Sequence, residues 1–406
     1  LNYDIVVVGA GPAGSIAAFE GAKRGFSTLL LEKSALPREK PCGGAVMYRG
    51  VRLVQGHIPR RLVEQKIHGL RFDLPNGARS EFISEKMIGI TVFRDRFDEY
   101  LARRAERAGA TVMENSPVVH ASISDDSALV QLSNGQEIRS EFLIGADGVN
   151  SVVSRSLGLR PQRKDLTKVG LGMETDFFVG EEGVNKAMNG DSSVLEIVPA
   201  ENKISYGWVF PKREHLAIGV AGSGVHMRAL RPTFDRFCRN MEKKLGVPLH
   251  LEKRRTSFLG GDGLANQNVV DRAILVGDAA GFVDPMMGEG IAYAMHSGIF
   301  AVSVIEGAME EGKHDCARLS EYHNLCKKEF SANFQMAAWA GSKGSSFAER
   351  ILPSVNGYKL AADVMAMLAR GEIGYADIPY FVMKNLPREI PHILQQIIQS
   401  RIHVSH

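Results

Sequence analysis

A glycine-rich turn set between a β-branched run and a helix-like stretch limits the fold more than any other feature of the chain. Residues 4–8 read Asp-Ile-Val-Val-Val, the composition of a strand buried on both faces of a parallel sheet. Gly9-Ala-Gly11-Pro12-Ala13-Gly14 follows, and from Ser15 to Arg24 alanine and aliphatic residues recur at helical spacing until Gly25 ends the pattern. Residues 27–31 read as a second strand, closed by Glu32. In such a unit the first glycine permits the tight turn, the second lets backbone approach a pyrophosphate, and the third lets helix and strand pack closely. The helix start adds unpaired N–H groups and a partial positive charge. Glu32, eighteen residues after Gly14, stands where a carboxylate accepts ribose hydroxyls. Strand, turn, helix, strand and acid in register point to an adenine dinucleotide; they do not separate NAD from FAD.

The 406 residues suffice for two or three domains. With 44% apolar and 23% charged residues, disorder, collagen and coiled coil are excluded. The net charge is only +3 and the basic residues are spread along the chain, which is no nucleic-acid footprint. Four cysteines, Cys42, Cys238, Cys316 and Cys326, form no C-x-x-C pair. Cys316 and Cys326 on one continuous helix would stand about 15 Å apart, too far to bridge. Reduced thiols and a cytoplasmic protein are expected. A strand begins within four residues of the N-terminus, leaving no room for a signal peptide. No apolar stretch reaches the roughly eighteen residues of a membrane span; a peripheral contact with the membrane's inner face stays open. Histidine spacing suggests no metal ligands.

Further along, residues 34–50 form a Pro/Gly-rich loop containing Pro41-Cys42-Gly43-Gly44, and segments 66–74 and 79–93 look like strands of a second sheet. Residues 94–108 read as an amphipathic helix and 111–113 as a strand. Segments 118–123, 128–132 and 136–139 suggest a meander with Asn134-Gly135 as its hairpin turn. Residues 142–144 and 273–276 are short buried runs, each leading into a glycine-and-aspartate turn. Between 165 and 260 the pattern is mostly strand-like, with a helix near 228–245. Helical patterns occupy 288–311, 316–339 and, broken by Pro353, Pro379, Pro387 and Pro391, the remainder.

Those two later turns are Gly145-Ala-Asp147-Gly148-Val-Asn-Ser151 and Gly277-Asp278-Ala-Ala-Gly281-Phe-Val-Asp284-Pro285-Met-Met-Gly288-Glu-Gly290-Ile291. With the N-terminal turn they resemble the three-part signature of the para-hydroxybenzoate hydroxylase-type FAD superfamily. The resemblance implies FAD, with Asp278 at the ribityl and pyrophosphate region and the 285–291 turn opening a helix beneath the isoalloxazine. A helix start with glycine-exposed N–H groups can stabilise negative charge there. An arginine at the head of the 94–108 helix contacts the pyrophosphate side in that superfamily. Arg94 is the match and Arg96 the alternative. Lys33, Val118 and, on the 34–50 loop, Cys42, Gly43 and Gly44 complete the implied cofactor set.

Pro41-Cys42-Gly43-Gly44 and Tyr206-Gly-Trp208-Val-Phe210-Pro211 narrow the resemblance to the geranylgeranyl reductase family, which saturates isoprenoid double bonds and includes the archaeal digeranylgeranylglycerophospholipid reductases. It extends over residues 3–340. One departure lies on the pocket wall, where Gly219-Val-Ala221-Gly222 stands in place of the family's G-x-G. Tyr206, Trp208 and Phe210 at spacing two share one strand face, either lining a polyprenyl tunnel or packing a core. Cys42, on an adaptable loop with Gly43 and Gly44, is implied to lie near flavin and substrate, where a thiol could position substrate or relay a proton. Residues 390–402 are amphipathic and either cap a tunnel, face lipid or dock on the protein itself.

The expected architecture is α/β with α+β elements. A Rossmann-type FAD-binding domain is drawn from residues 1–65, 91–164 and 265–335. An interleaved β-sheet substrate domain takes 66–90 and 165–264, and a helical segment takes 336–406. The expected activity is hydride transfer from reduced flavin N5 to a geranylgeranyl chain of a lipid or lipid precursor, such as a geranylgeranyl diphosphate. The electrons come from NAD(P)H, ferredoxin or another external carrier. The rival is an FAD monooxygenase that hydroxylates or epoxidises an aromatic or isoprenoid substrate. A halogenase fits less well, since Tyr206 stands where those enzymes carry the first tryptophan of W-x-W-x-I-P. A flavin sensor without turnover is the third class.

Overall fold

The computed structural model describes residues 2–385, apart from 56–57, 160–165, 202–204, 261, 286, 343–344 and 357. Strand Asn2–Val8 lies at the middle of an eight-stranded sheet, parallel to Thr28–Leu31 on one side and to Glu137–Gly145 on the other. Thr111–Met113 continues the sheet beyond Thr28–Leu31, and Ala273–Leu275 continues it beyond Glu137–Gly145. Such strands are buried on both faces: Ile5, Val6, Val7, Leu29, Leu30, Phe142, Leu143, Ile144 and Ile274 are wholly inside.

Helix Pro12–Lys23 covers one face of this sheet and is crossed by the long helix Ile291–Glu311. The crossing is close because Gly298 faces Ala13, where a Cβ would come within 2.5 Å of the carbonyl oxygen. Ile291–Glu311 is long and apolar enough to cross a membrane by composition, yet 67% of its apolar window is buried inside the fold. It is a core helix here.

A second, seven-stranded sheet runs in the order Arg255–Gly260, Val169–Phe178, His215–Ser223, Tyr206–Pro211, Val194–Val198, Gly69–Asp73, Arg79–Ile83. One face packs on helix Met227–Leu245 through Leu230, Phe234, Phe237 and Met241. The other face turns toward the 37–44 loop and, at its far end, toward helix Lys359–Arg370.

The structure differs from the sequence reading in several elements. Residues 136–139 and 142–144 are one strand, Glu137–Gly145. Its first half alternates in burial beside the Ala128–Leu132 hairpin arm, and its second half is continuously buried between two parallel neighbours. Residues 65–67 and 89–91 do not join the second sheet. With Ala45–Met47 they form a separate three-stranded sheet over Ile16, Phe97 and Met295. The helical pattern from 316 is interrupted at Ser320, giving Cys316–Leu319 and Glu321–Ser342. All four cysteines are free. Pro353 sits inside helix Ser345–Val355, and Pro379 lies in the first turn of the helical stretch 378–385, where its missing N–H costs nothing. The amphipathic stretch 390–402, with Pro387 and Pro391, lies outside the described residues.

Candidate active site

The three glycine turns come together at the C-terminal ends of the parallel strands, where open α/β sheets bind ligands. Gly9 has φ +104°, and a Cβ on it would lie 2.5 Å from the Ala146 carbonyl oxygen. Gly14 is tighter still, its Cβ position 1.9 Å from the Gly9 carbonyl oxygen, and Gly277 abuts Ala13 at 2.9 Å. Gly11 is different. Its φ of −78° suits any residue, and a Cβ there would meet nothing nearer than Arg38 Nη2 at 3.9 Å. The space beside Gly11 is therefore clear, and helix Pro12–Lys23 starts there with no side-chain cap, leaving its first N–H groups for a phosphate.

Glu32 is 3% exposed. It accepts hydrogen bonds from the Ala10 amide (3.0 Å) and the Ser34 amide (3.2 Å), with Arg38 Nε at 3.2 Å. Arg38 also donates to Asp98 Oδ2 (3.0 Å), which is held on both oxygens by Arg94 through Nε (2.8 Å) and Nη2 (2.9 Å). Arg94 is buried and Arg96 is exposed. The Cys42 thiol lies beside the Arg94 guanidinium and adds to its stabilisation. A chain of ion pairs thus runs from Glu32, beside the first glycine turn, to the Cys42 loop. Lys33 is exposed, and Val118 is buried at the start of strand Val118–Ile123.

Asp147 Oδ2 accepts from the Val152 (2.6 Å) and Val153 (3.2 Å) amides, while its buried Oδ1 meets no donor among the described residues. Burial pushes its carboxyl above the ordinary value. Gly148, at φ +79°, leaves the neighbouring space open. In the third turn, Gly281 caps the short helix Gly277–Ala280 in the left-handed region, and Asp278 Oδ1 lies 3.5 Å from a Cβ position on Gly290. Asp284 Oδ1 accepts from the Met287 amide (2.8 Å). Pro285 is exposed, and beyond Gly288 (φ +68°) helix Ile291–Glu311 starts from Gly290 with no side-chain cap.

The second sheet meets these turns through its aromatic strand. Tyr206 Oη donates to the Met287 carbonyl (3.0 Å). Burial, then Asp284 and Cys42, push its phenol well above the ordinary value, so it stays a donor. Trp208 lies over Gly219, where a Cβ would come within 2.1 Å of the ring, and its Nε1 is 2.8 Å from a Cβ position on Gly43. Phe210 touches the same side of Gly43. Gly219 is thus required by the indole. Ala221, paired with Tyr206, replaces the second glycine of the family pattern without obstruction.

Cys42 is half-buried on its loop; its Sγ accepts from the Gly44 amide (3.4 Å) and its own amide donates to Glu174 Oε1 (3.3 Å). Glu174 is 3% exposed, takes Arg255 Nε at 3.0 Å, and leaves Oε2 buried without a donor. Asp176, two residues on, takes Lys212 and the other end of Arg255. Burial and Asp176 push the Glu174 carboxyl up to about 7 against the pull of Arg255, Lys212 and the Cys42 amide.

That shift has a sign that stability can report. The folded value lies above the ordinary 4.5, so this group's contribution is complete below the unfolded value and is lost as pH rises through the folded one. Glu174→Gln removes the loss. Relative to the wild type, the variant should gain up to about 3 kcal/mol between about pH 5 and about pH 8.5. Urea denaturation at both pH values measures it, and a constant difference refutes the assignment.

Sequence reasoning missed Glu174, Arg255, Arg38 and Asp98. It also missed Arg49, which grips Glu289 of the third turn and Tyr293 Oη (2.9 Å). The signal for Glu174 was present in Gly170-x-Gly172-x-Glu174-x-Asp176, a polar face at period two opposite Leu171, Met173 and Phe177.

The residues fit FAD: two uncapped helix starts, a cleared surface beside Gly11 and an orphaned Asp147 oxygen surround one region. A model of the FAD binding domain matches residues 2–337, so fold and site are those of an FAD-dependent oxidoreductase. The digeranylgeranylglycerophospholipid reductase of Thermoplasma acidophilum is 30% identical over 370 residues, 81% of this chain and 84% of that one. The chain belongs to the geranylgeranyl reductase family of FAD-dependent enzymes. A geranylgeranyl bacteriochlorophyll reductase-like structure from the same organism superposes with a TM-score of 0.78 at 23% identity, covering 94% of this chain and 99% of that one. A halogenase solved with phloroglucinol and FAD reaches a TM-score of 0.70 at 20% identity, covering 93% and 85%. The same fold therefore serves other FAD-dependent reactions.

Proposed function

We propose that this protein saturates C=C bonds in the geranylgeranyl chains of a lipid or lipid precursor. Bound FAD, reduced by an external donor, supplies the hydride from N5. The helix start at Ile291 and the cleared glycines of the third turn hold the isoalloxazine end, and the uncapped start at Pro12 holds the pyrophosphate. Asp147, Asp278 and Arg94 complete that cradle.

The observation that carries this reading is the meeting of an apolar aromatic ridge with a thiol-bearing loop at the third turn. Tyr206, Trp208 and Phe210 stand side by side, ring centroids 6.1–6.2 Å apart, and the ridge adjoins a sheet surface trimmed to Gly172, Ala217, Gly219 and Ala221. A flexible apolar chain with small methyl branches, such as a polyprenyl, fits beside such a ridge, with large contact area at low side-chain entropy cost. Tyr206 ties the ridge to the third turn, fixing substrate against cofactor to the tolerance hydride transfer demands. Cys42 orients the reacting bond from the opposite side.

Two variants test these roles. Trp208→Ala and Cys42→Ala should retain FAD, visible as flavin absorbance, and lose roughly tenfold or more in saturation rate. Loss of FAD from either would overturn its assignment. The reaction itself is read by mass spectrometry after anaerobic incubation of reduced protein with a digeranylgeranyl lipid. Two hydrogens gained per double bond support the reductase; product formed only with oxygen, and carrying an oxygen atom, supports a monooxygenase.

A further inference from the structure

Among the described residues, two buried polar atoms at the aromatic ridge have no partner: Trp208 Nε1 and Glu174 Oε2. They belong to one cross-strand row. Arg255 pairs with Glu174, Glu174 with Gly219, Gly219 with Trp208, and Trp208 with Ile197, and directly opposed residues of antiparallel strands point to the same face. Gly219 has no side chain and lies under the indole, whose Nε1 faces Gly43, while the carboxyl meets the neighbouring Cys42 amide. Within the carboxyl, Oε1 takes both available donors, the Cys42 amide and Arg255 Nε. A buried carboxylate oxygen without a donor is costly, and a carboxylic acid that carries its hydrogen there avoids the larger penalty of an uncompensated charge.

We propose that Glu174 is the acid of this site, its carboxyl O–H supplying the proton that alkene saturation consumes. The inference rests on the reductase reading and extends it to a residue outside the cofactor turns. The step balances as follows. The π pair of the alkene forms a C–H bond to the Glu174 hydrogen as the O–H bond breaks, and the other carbon takes the hydride from FAD reduced beforehand by the external donor. The carboxylate left behind keeps Arg255 as counter-ion and regains a proton from water. The charged groups around it are Asp176 on its own strand, Arg255 on the neighbouring strand and Lys212 at the end of the aromatic strand; from the loop come the Cys42 amide, which donates to it, and Glu39, which faces Arg255. Asp176 has both oxygens paired, with Lys212 and with one end of Arg255, whereas Glu174 keeps Oε2 without a partner, so Glu174 is the carboxyl placed to exchange a proton. A value near 7 suits an acid working near neutrality.

The test uses the full-length, FAD-loaded protein and two readouts. Infrared difference spectra across pH should show a protonated-carboxyl C=O band that titrates near neutrality in the wild type and is missing in Glu174→Gln. Anaerobic single-turnover reoxidation by a digeranylgeranyl lipid should slow roughly a hundredfold or more in Glu174→Gln with flavin absorbance unchanged. Glu174→Asp should recover part of the rate with a displaced pH limb, which also covers a Gln variant that fails to fold. No such band in the wild type, the same band in Glu174→Gln, or a wild-type rate and pH profile in Glu174→Gln overturns the inference while leaving the reductase standing. A wild type that never reduces the lipid, yet shows the titrating band lost in Glu174→Gln, overturns the reductase reading instead and leaves Glu174 a proton-exchanging acid.

Discussion

Gly14→Val is expected to give no folded, yellow protein, whereas Gly11→Ala should fold with unchanged thermal stability and stay colourless. The two glycines are three residues apart in one turn and do different work. A Cβ on Gly14 would sit 1.9 Å from the Gly9 carbonyl oxygen and 3.0 Å from Ala146 Cβ. Both are fixed, the first by the end of the central strand and the second by the turn after its parallel neighbour. Neither can yield without levering helix Pro12–Lys23 off the sheet, and that helix buries Pro12, Ala13, Ile16, Ala17 and Ala18. Ordinary overpacking costs about 1–3 kcal/mol. A backbone collision across the central layer exceeds that and approaches the ~5–15 kcal/mol that holds a domain together. Gly11 has an ordinary φ and open space beside it, so a methyl group costs the apoprotein nothing. It does occupy the surface a pyrophosphate must approach. Thermal melts of the apoproteins and flavin absorbance after FAD addition separate the two effects. A stable Gly14→Val, or a Gly11→Ala that binds FAD like the wild type, contradicts this account of the turn.

The contrast also explains what could be read from sequence. Gly9, Gly14, Gly277 and Gly281 leave a mark in residue type because the backbone there is either left-handed or in contact with another backbone, and few other residues meet that demand. The three converging glycine turns were legible for that reason, as was the aromatic ridge, whose spacing of two survives unaltered in strand Tyr206–Pro211. Cross-strand register leaves no such mark. Glu174 faces Arg255 because two strands distant in sequence pair at that position, and nothing local to either residue announces the other. The same holds for Arg38, which reaches Glu32 and Asp98 from a loop. Strand Glu137–Gly145 reads as two in the sequence because Ser140 and Glu141 separate the alternating Glu137-Ile138-Arg139 from the apolar Phe142-Leu143-Ile144; in the fold the Ser140 hydroxyl donates to the Phe142 carbonyl (2.8 Å), which lets a polar side chain be buried mid-strand. The small sheet of 45–47, 65–67 and 89–91 eluded the pattern because three-residue strands are shorter than one full cycle of alternation worth counting.

The network around Cys42 adds a property that the cofactor turns alone do not have. The loop is pinned from two sides: its Cys42 amide by Glu174 on the second sheet and its Cys42 thiol beside Arg94 at the start of helix Arg94–Arg107. Lys40 Nζ donates to Ser257 Oγ (3.2 Å), and Gly43 lies against Trp208 and Phe210. The loop therefore couples the two sheets beside the third glycine turn and the aromatic strand. A rigid support of this kind is what places a reacting bond within the small tolerance of a near-attack geometry.

Arg94→Met should be the most damaging single change outside the glycine turns. Asp98 is fully buried and held on both oxygens by Arg94, with Arg38 as its other cation. Removing one partner of a buried pair typically costs about 3–5 kcal/mol, because the remaining charge is left under-compensated. Arg38 softens that figure by keeping one bond to Asp98 Oδ2, so the lower end is expected for Arg94→Met and the upper for Arg94→Met combined with Arg38→Met. Replacing the pair together, Arg94→Met with Asp98→Leu, should restore much of the stability, since a buried ion pair and an apolar pair of similar volume are close in energy. These melts are run on apoprotein, where no pyrophosphate contributes. Titration with FAD then reads the second role: weaker binding in the stabilised double variant means that Arg94 also serves the cofactor, and unchanged binding means that it serves Asp98 and the Cys42 loop alone. An apoprotein whose melting is indifferent to Arg94→Met contradicts the structural role, whatever happens to FAD.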